Sequence, residues 1–172
     1  MAQADPGSAG FEYFEVTADV PPRDLGAVAQ ADPGSVGFEY FEVTADVGIR
    51  AWGPDARAAF CQCALGVFNL MVSLPEVEAR EAREVRASGE GYEPLLVNWI
   101  NELLYLHDTE GFLARRVEIP AFDASGLRSL LHGEPLDPAR HHPGLQVKAA
   151  TFHQLAVTEE AGRFVVRLIV DV

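Results

Sequence analysis

Phe38-Glu39-Tyr40-Phe41-Glu42-Val43-Thr44-Ala45-Asp46-Val47-Gly48-Ile49-Arg50-Ala51-Trp52 is the stretch whose reading decides the fold. Its first half sets Phe38, Tyr40 and Phe41 against Glu39 and Glu42, the period-two pattern of a half-buried strand. The run then breaks at Thr44-Ala45-Asp46-Val47-Gly48, which holds an Asx-turn former and a glycine, and Ile49-Arg50-Ala51-Trp52 alternates again. The segment reads as two strands joined by a tight turn, with one carboxylate, Asp46, at the tip.

Downstream, Gly53-Pro54-Asp55 opens a helix, since proline is tolerated in a first turn and an acid there meets the positive end of the helix dipole. Phe60, Ala64, Val67, Phe68 and Met71 recur at helical spacing and form one apolar stripe that ends before Ser73-Leu74-Pro75. A stripe of this kind faces a core. Residues 76–88 mix Glu and Arg with Val77, Ala79, Ala82, Val85 and Ala87 in partial alternation, which predicts an exposed strand with a solvated charged face. A second helix follows Gly91-Tyr92-Glu93-Pro94. Leu96, Trp99, Ile100, Leu103 and Leu104 recur at three and four, Leu95, Val97 and Leu106 widen the face, and Gly111 serves as the C-cap. Asn98 and Asn101, at or beyond the border of that stripe, are expected to make structural hydrogen bonds.

Residues 112–120, 122–133 and 147–157 have strand composition, and 134–144 is a loop carrying Pro135, Pro138, Pro143 and the pair His141-His142. The nearly continuous apolar run over 163–172 predicts a central strand covered on both faces. Two helices among about seven strands make an α+β domain, with both helices packed on one side of a mixed β-sheet.

With 172 residues the chain has room for one sizeable core. It carries 13 basic against 26 acidic residues, a net charge of −13 with His neutral, and so lacks the basic footprint of a nucleic-acid binder. A protein partner with a basic surface, or a bound cation, suits it better. The first residues lack the charged and apolar regions of a secretory signal, and no apolar run is long enough to span a bilayer. Cys61 and Cys63 stand two apart on a predicted helix, point to different sides and do not pair with each other, in keeping with a cytoplasmic protein. The five histidines and two cysteines form no zinc-finger spacing, and there is no P-loop, G-x-G-x-x-G, G-x-S-x-G or H-E-x-x-H.

Residues 2–20 recur at 29–47 with one change, Ala9 against Val36. A repeat fold drifts and continues, whereas this segment occurs twice and is almost unaltered, which reads as a tandem duplication or a misplaced start. After the first copy come Pro21 and Pro22, which cannot feed the second strand of a hairpin. The domain is therefore expected over 37–172, with 1–36 as a tail outside the core. That tail still carries a competent strand at 11–16, able to pair with a sheet edge or to compete for the place of its twin.

The Val43-Thr44-Ala45-Asp46-Val47-Gly48-Ile49-Arg50 stretch resembles the signature of the archease family, small proteins that assist the tRNA-splicing ligase. Leu95-Leu96-Val97-Asn98-Trp99-Ile100-Asn101-Glu102-Leu103-Leu104-Tyr105-Leu106, then Val147-Lys148-Ala149-Ala150-Thr151-Phe152-His153, then 166–172 agree with it in order. One position departs: the family usually has His before Thr-Ala-Asp, and this chain has Val43, which leaves open any role of that histidine.

The resemblance implies a divalent-cation site, calcium in the family's usual description, made by Asp46, Asp171 and Val172, the last through a carboxylate or backbone oxygen. It also implies that Lys148 is needed for helping the ligase. Oxygen donors suit a hard cation, and two converging carboxylates repel until one is bound. Without the resemblance, Asp46 is a turn residue, Asp171 an acid at a strand end, and Lys148 a solvated lysine. Asp19 is the copy of Asp46, but the prolines after it make it a poor ligand candidate. The implied activity is that of an accessory protein, not an enzyme. It docks on the GTP-dependent ligase that joins 2′,3′-cyclic phosphate or 3′-phosphate RNA ends to 5′-hydroxyl ends, promoting guanylylation and multiple turnover. Two other readings stay open: a small metal-dependent hydrolase using Asp46 and Asp171 with His153 or Lys148 in proton transfer, and a metal-independent chaperone-like module.

Overall fold

The computed structural model describes residues 35–172; the expectations for the tail and for Asp19 fall outside the described residues. The opening hairpin forms as β1 (Gly37–Val43) and β2 (Asp46–Gly53). Its turn is shorter than expected. Val43 pairs with Asp46, so Thr44 and Ala45 alone make the tip, Ala45 in the left-handed region at φ 66°, and Asp46 is the first residue of β2.

Asp55 is the N-cap of α1 (Ala56–Met71) rather than part of its first turn, its Oδ1 accepting from the Ala58 amide at 2.8 Å. The whole predicted stripe of α1 is buried. A short 3₁₀ turn over Leu74–Glu76 delays the charged strand, which begins five residues later than expected as β3 (Glu81–Ser88). Then come α2 (Tyr92–Glu110), capped by Gly111 at φ 68°, β4 (Phe112–Asp123), β5 (Gly126–Pro135), β6 (Ala149–Glu160) and β7 (Arg163–Asp171). Pro120 lies where β4 slips register against β5, a position where its missing N–H costs no ladder bond.

The α+β class and the two helices are as expected, but the single mixed sheet is not. The strands form two sheets, β1-β2-β7-β6 and β3-β5-β4, and every pairing is antiparallel. The helices lie between them rather than against one sheet: α1 touches β1, β2 and β7 on one side and β4 on the other, and α2 touches β6 on one side and β3 and β4 on the other. The composition of the helices explains this. Buried residues run most of the way round α1, and Leu95, Leu96, Val97, Trp99, Ile100, Leu103 and Leu104 cover more of α2 than one sheet can. Burying both flanks in a single core removes more apolar surface from water, at about 25 cal/mol for each Å².

Polar anchors hold the helices in register with the strands. Trp99 Nε1 donates to Ser129 Oγ at 2.9 Å, and Ser129 Oγ donates to the Val85 carbonyl at 2.8 Å. Asn98 Nδ2 donates to the Ser88 carbonyl at 2.8 Å, the structural role expected of it. As expected, β7 is an interior strand, with Val166, Leu168 and Val170 buried beneath the helices. Cys63 is buried, Cys61 is half-buried, and both are free thiols; burial pushes the Cys61 thiol up to about 11.

Candidate functional site

Side chains of β2 alternate between the core, where Val47, Ile49 and Ala51 are buried, and the outer face of the sheet. Asp46 falls on the outer face. Its neighbour β7 pairs Val47 with Val170, and one further step of that register brings Asp46 alongside Asp171, the last residue of β7. On the other side of β7, Ala149 pairs with Asp171, and the Lys148 amide donates to the Asp171 carbonyl at 2.8 Å. The fold thus gathers Asp46, Asp171, Val172 and Lys148 at one end of three adjacent strands.

Asn101 sets where β6 enters this end. Its Oδ1 accepts from the Ala150 amide at 2.8 Å and its Nδ2 donates to the Ala150 carbonyl at 3.5 Å, so α2 clamps the residue two places beyond Lys148. Thr151 Oγ1 bonds the Ile169 carbonyl at 3.0 Å, and beyond it β6 bulges away from β7 until Ala156. Exposed His153 lies in that bulge, on the strand that carries Lys148 but outside the register that gathers the two aspartates.

Asp46 is half-buried, and Asp171 and Lys148 are exposed. Among the described residues none of the three side chains has an ion pair or hydrogen bond. Two neighbouring carboxylates without a cationic partner repel, and an oxygen-binding divalent cation is the group that such a pair fits. Among the described residues no three His, Cys, Asp or Glu side chains gather to hold a metal. Val43 stands directly across β1–β2 from Asp46, so an aliphatic side chain occupies the place beside it.

Two charged groups escaped the sequence reading. Glu39, expected on the polar side of β1, is 6% exposed and meets Arg50 across the hairpin, Arg50 Nη1 lying 3.0 Å from Glu39 Oε1. The signal was present: a two-residue turn sets Glu39 opposite Arg50. Glu134 in β5 is 3% exposed and anchors the proline-rich loop. It accepts from Arg140 Nη2 at 2.5 Å, from the Glu78 amide at 2.8 Å and from His141 Nε2 at 3.0 Å. Because His141 Nδ1 accepts from the Asp137 amide, its proton sits on Nε2 and points at Glu134. Burial pushes the Glu134 carboxyl up, but these donors together outweigh it and hold the carboxyl down at about 2. No local sequence pattern announces this network, which spans the end of β5, the loop and the segment before β3.

The archease protein family matches residues 38–172. Protein archease of Pyrococcus abyssi is 37% identical over 125 residues, covering 70% of this chain and 88% of that protein. A protein archease-like of Drosophila melanogaster is 34% identical over 126 residues, covering 70% of this chain and 81% of its own. A solution structure from Methanobacterium thermoautotrophicum superposes with a TM-score of 0.68 at 37% identity, covering 79% of this chain and 99% of that one. The crystal structure of an archease, "possible chaperone", from Thermotoga maritima has a TM-score of 0.50 at 17% identity over 77% of this chain and 94% of that one, which shows a common fold.

Proposed function

This chain belongs to the archease family, and from that premise we propose that it is an accessory protein of the GTP-dependent tRNA-splicing RNA ligase, promoting the ligase's guanylylation and its multiple turnover. The observation that carries the reading is the register that puts Asp46 beside Asp171 and ties Lys148 to Asp171 on the next strand. Asp46, Asp171 and an oxygen of Val172 would hold a divalent cation, calcium in the first instance. Bound there, a divalent cation would offset the repulsion between the two carboxylates and draw these strand ends together.

This chain's residues do the rest. Lys148, exposed and without an acidic partner among the described residues, stands at the same end of the sheet as the two carboxylates, where its ammonium can meet a phosphate or an acidic group of the partner. The net charge of −13 opposes direct binding of RNA and favours a basic RNA-handling protein in the cytoplasm as the partner. Catalysis belongs to that partner.

The test is multiple-turnover RNA ligation by a purified ligase of this type, with wild type, Asp46→Ala and Lys148→Ala added in turn. Stimulation by wild type that both variants lose supports the reading. A second reading, a metal-independent chaperone-like module, draws on the name given to the Thermotoga maritima protein and on Phe152, 61% exposed in the bulge of β6. It predicts full activity from Asp46→Ala.

A further inference from the structure

Among the described residues β1 ends its sheet and pairs with β2 alone. Its place is built to read particular side chains. Tyr40 is fully buried, its hydroxyl donating to the Gly66 carbonyl of α1 at 2.8 Å and accepting from Asn69 Nδ2 at 3.1 Å. Phe38 packs edge-on against Tyr40 with ring centroids 5.8 Å apart, over Gly66, where a Cβ would come within 3.2 Å of its ring. Phe41 covers Gly48, where a Cβ would lie 2.1 Å from its ring, and Glu39 meets Arg50. Every one of these recognised residues occurs twice in the chain: residues 10–16, Gly-Phe-Glu-Tyr-Phe-Glu-Val, repeat residues 37–43 without a change.

We propose that the place of β1, formed by β2 and α1, is a strand-binding site that also accepts residues 10–16, in the same register, with Tyr13 for Tyr40 and Glu12 for Glu39. Identical side chains make identical contacts there, so packing and hydrogen bonding do not separate the two occupants. Only the connection to β2 does. Residues 37–43 reach Asp46 through two residues, 44 and 45, whereas residues 10–16 reach it through 29, 17–45. With closure entropy scaling as the three-halves power of loop length, the short connection wins by about 50-fold. Residues 37–43 therefore hold the site, and residues 10–16 replace them once damage to β1 exceeds that factor. The inference rests on the hairpin and is independent of the ligase reading.

The experiment is urea unfolding of the full-length chain as wild type, Tyr13→Ala, Tyr40→Ala and the double variant. Losing a buried aromatic side chain lowers the folding constant by a factor on the order of 10² to 10³ or more. Tyr13→Ala is expected to match wild type, Tyr40→Ala to lose about 50-fold and no more, and the double variant to fall further, by the full loss. Tyr40→Ala as damaging as the double variant, or already unfolded, overturns the proposal. A cross-link gives a second readout. Val43 pairs with Asp46, so Val16 is its counterpart, and Val16→Cys with Asp46→Cys in the Tyr40→Ala chain should close a 16–46 disulfide under oxidised glutathione. Its absence from a folded chain likewise overturns the exchange.

Discussion

Glu39 and Arg50 face each other across β1 and β2 at 3.0 Å, and Arg50 reaches on to Glu160 of β6 at 3.3 Å, so one guanidinium spans the outer face from the first strand to the last of its sheet. Burial raises the Glu39 carboxyl above its usual range, and the charges of Arg50 and, more weakly, Arg163 oppose that rise without cancelling it. The sign follows. A carboxyl whose folded pKa is raised favours folding below its unfolded value and loses that contribution as pH rises through the folded one.

Glu39→Gln, which keeps the shape and removes the charge, is expected to change stability at pH 7 by less than about 1 kcal/mol and to flatten the pH profile above pH ~4.5. Arg50→Met removes the hydrogen-bonded guanidinium from the buried carboxylate, leaves it the more weakly acting charge of Arg163, and is expected to cost about 3 kcal/mol. Urea unfolding of both variants from pH 4 to 8 checks the pair. Equal losses would contradict the asymmetry.

A cation held at Asp46 and Asp171 binds the folded chain alone, so calcium is expected to raise the melting temperature, by about 2.7 kcal/mol of added stability at a hundred times its Kd. Asp46→Asn and Asp171→Asn are expected to melt at the same temperature with and without it. Thermal melts in calcium and in chelator measure this without any ligase.

Glu134 behaves oppositely to Glu39. Its carboxyl is held at about 2 in the fold, so its contribution is present above the unfolded value near 4.3 and is lost as pH falls toward 2. The expected outcome is a drop in melting temperature across that window in wild type. Glu134→Gln is expected to be less stable at pH 7 and to show a shallower drop.

Gly133 and Gly48 separate two kinds of close approach. A Cβ on Gly133 would lie 1.8 Å from the Leu113 carbonyl oxygen, which β4 cannot move, whereas one on Gly48 meets the ring of Phe41. Gly133→Ala is expected to cost about 3 kcal/mol or more, and Gly48→Ala about 1 kcal/mol with loss of the Arg167–Phe41 stacking, 4.0 Å to the ring centroid. Denaturant midpoints and the crystal structure of Gly48→Ala test both.

What the sequence by itself determined is what neighbours along the chain decide. Period two over residues 38–42 makes a strand, apolar spacing from Phe60 to Met71 and from Leu95 to Leu104 makes two helices, and Gly111 ends the second, because these depend on backbone geometry over a few residues. The charged alternation of β3 and the interior position of β7 were legible for the same reason. Asp46 was legible as a candidate only through the family signature, since an aspartate beside a turn is ordinary.

Tertiary structure alone decided which strands are neighbours. Splitting the strands into two antiparallel sheets with the helices between them depends on how much apolar helix surface must be covered at once, a sum over the whole core that no local window contains. The same long-range pairing carries Asp171 and Lys148 to Asp46, and Arg140 and His141 to Glu134. It also sets Glu39, whose alternation pattern reads as solvent-facing, against Arg50 in a buried position.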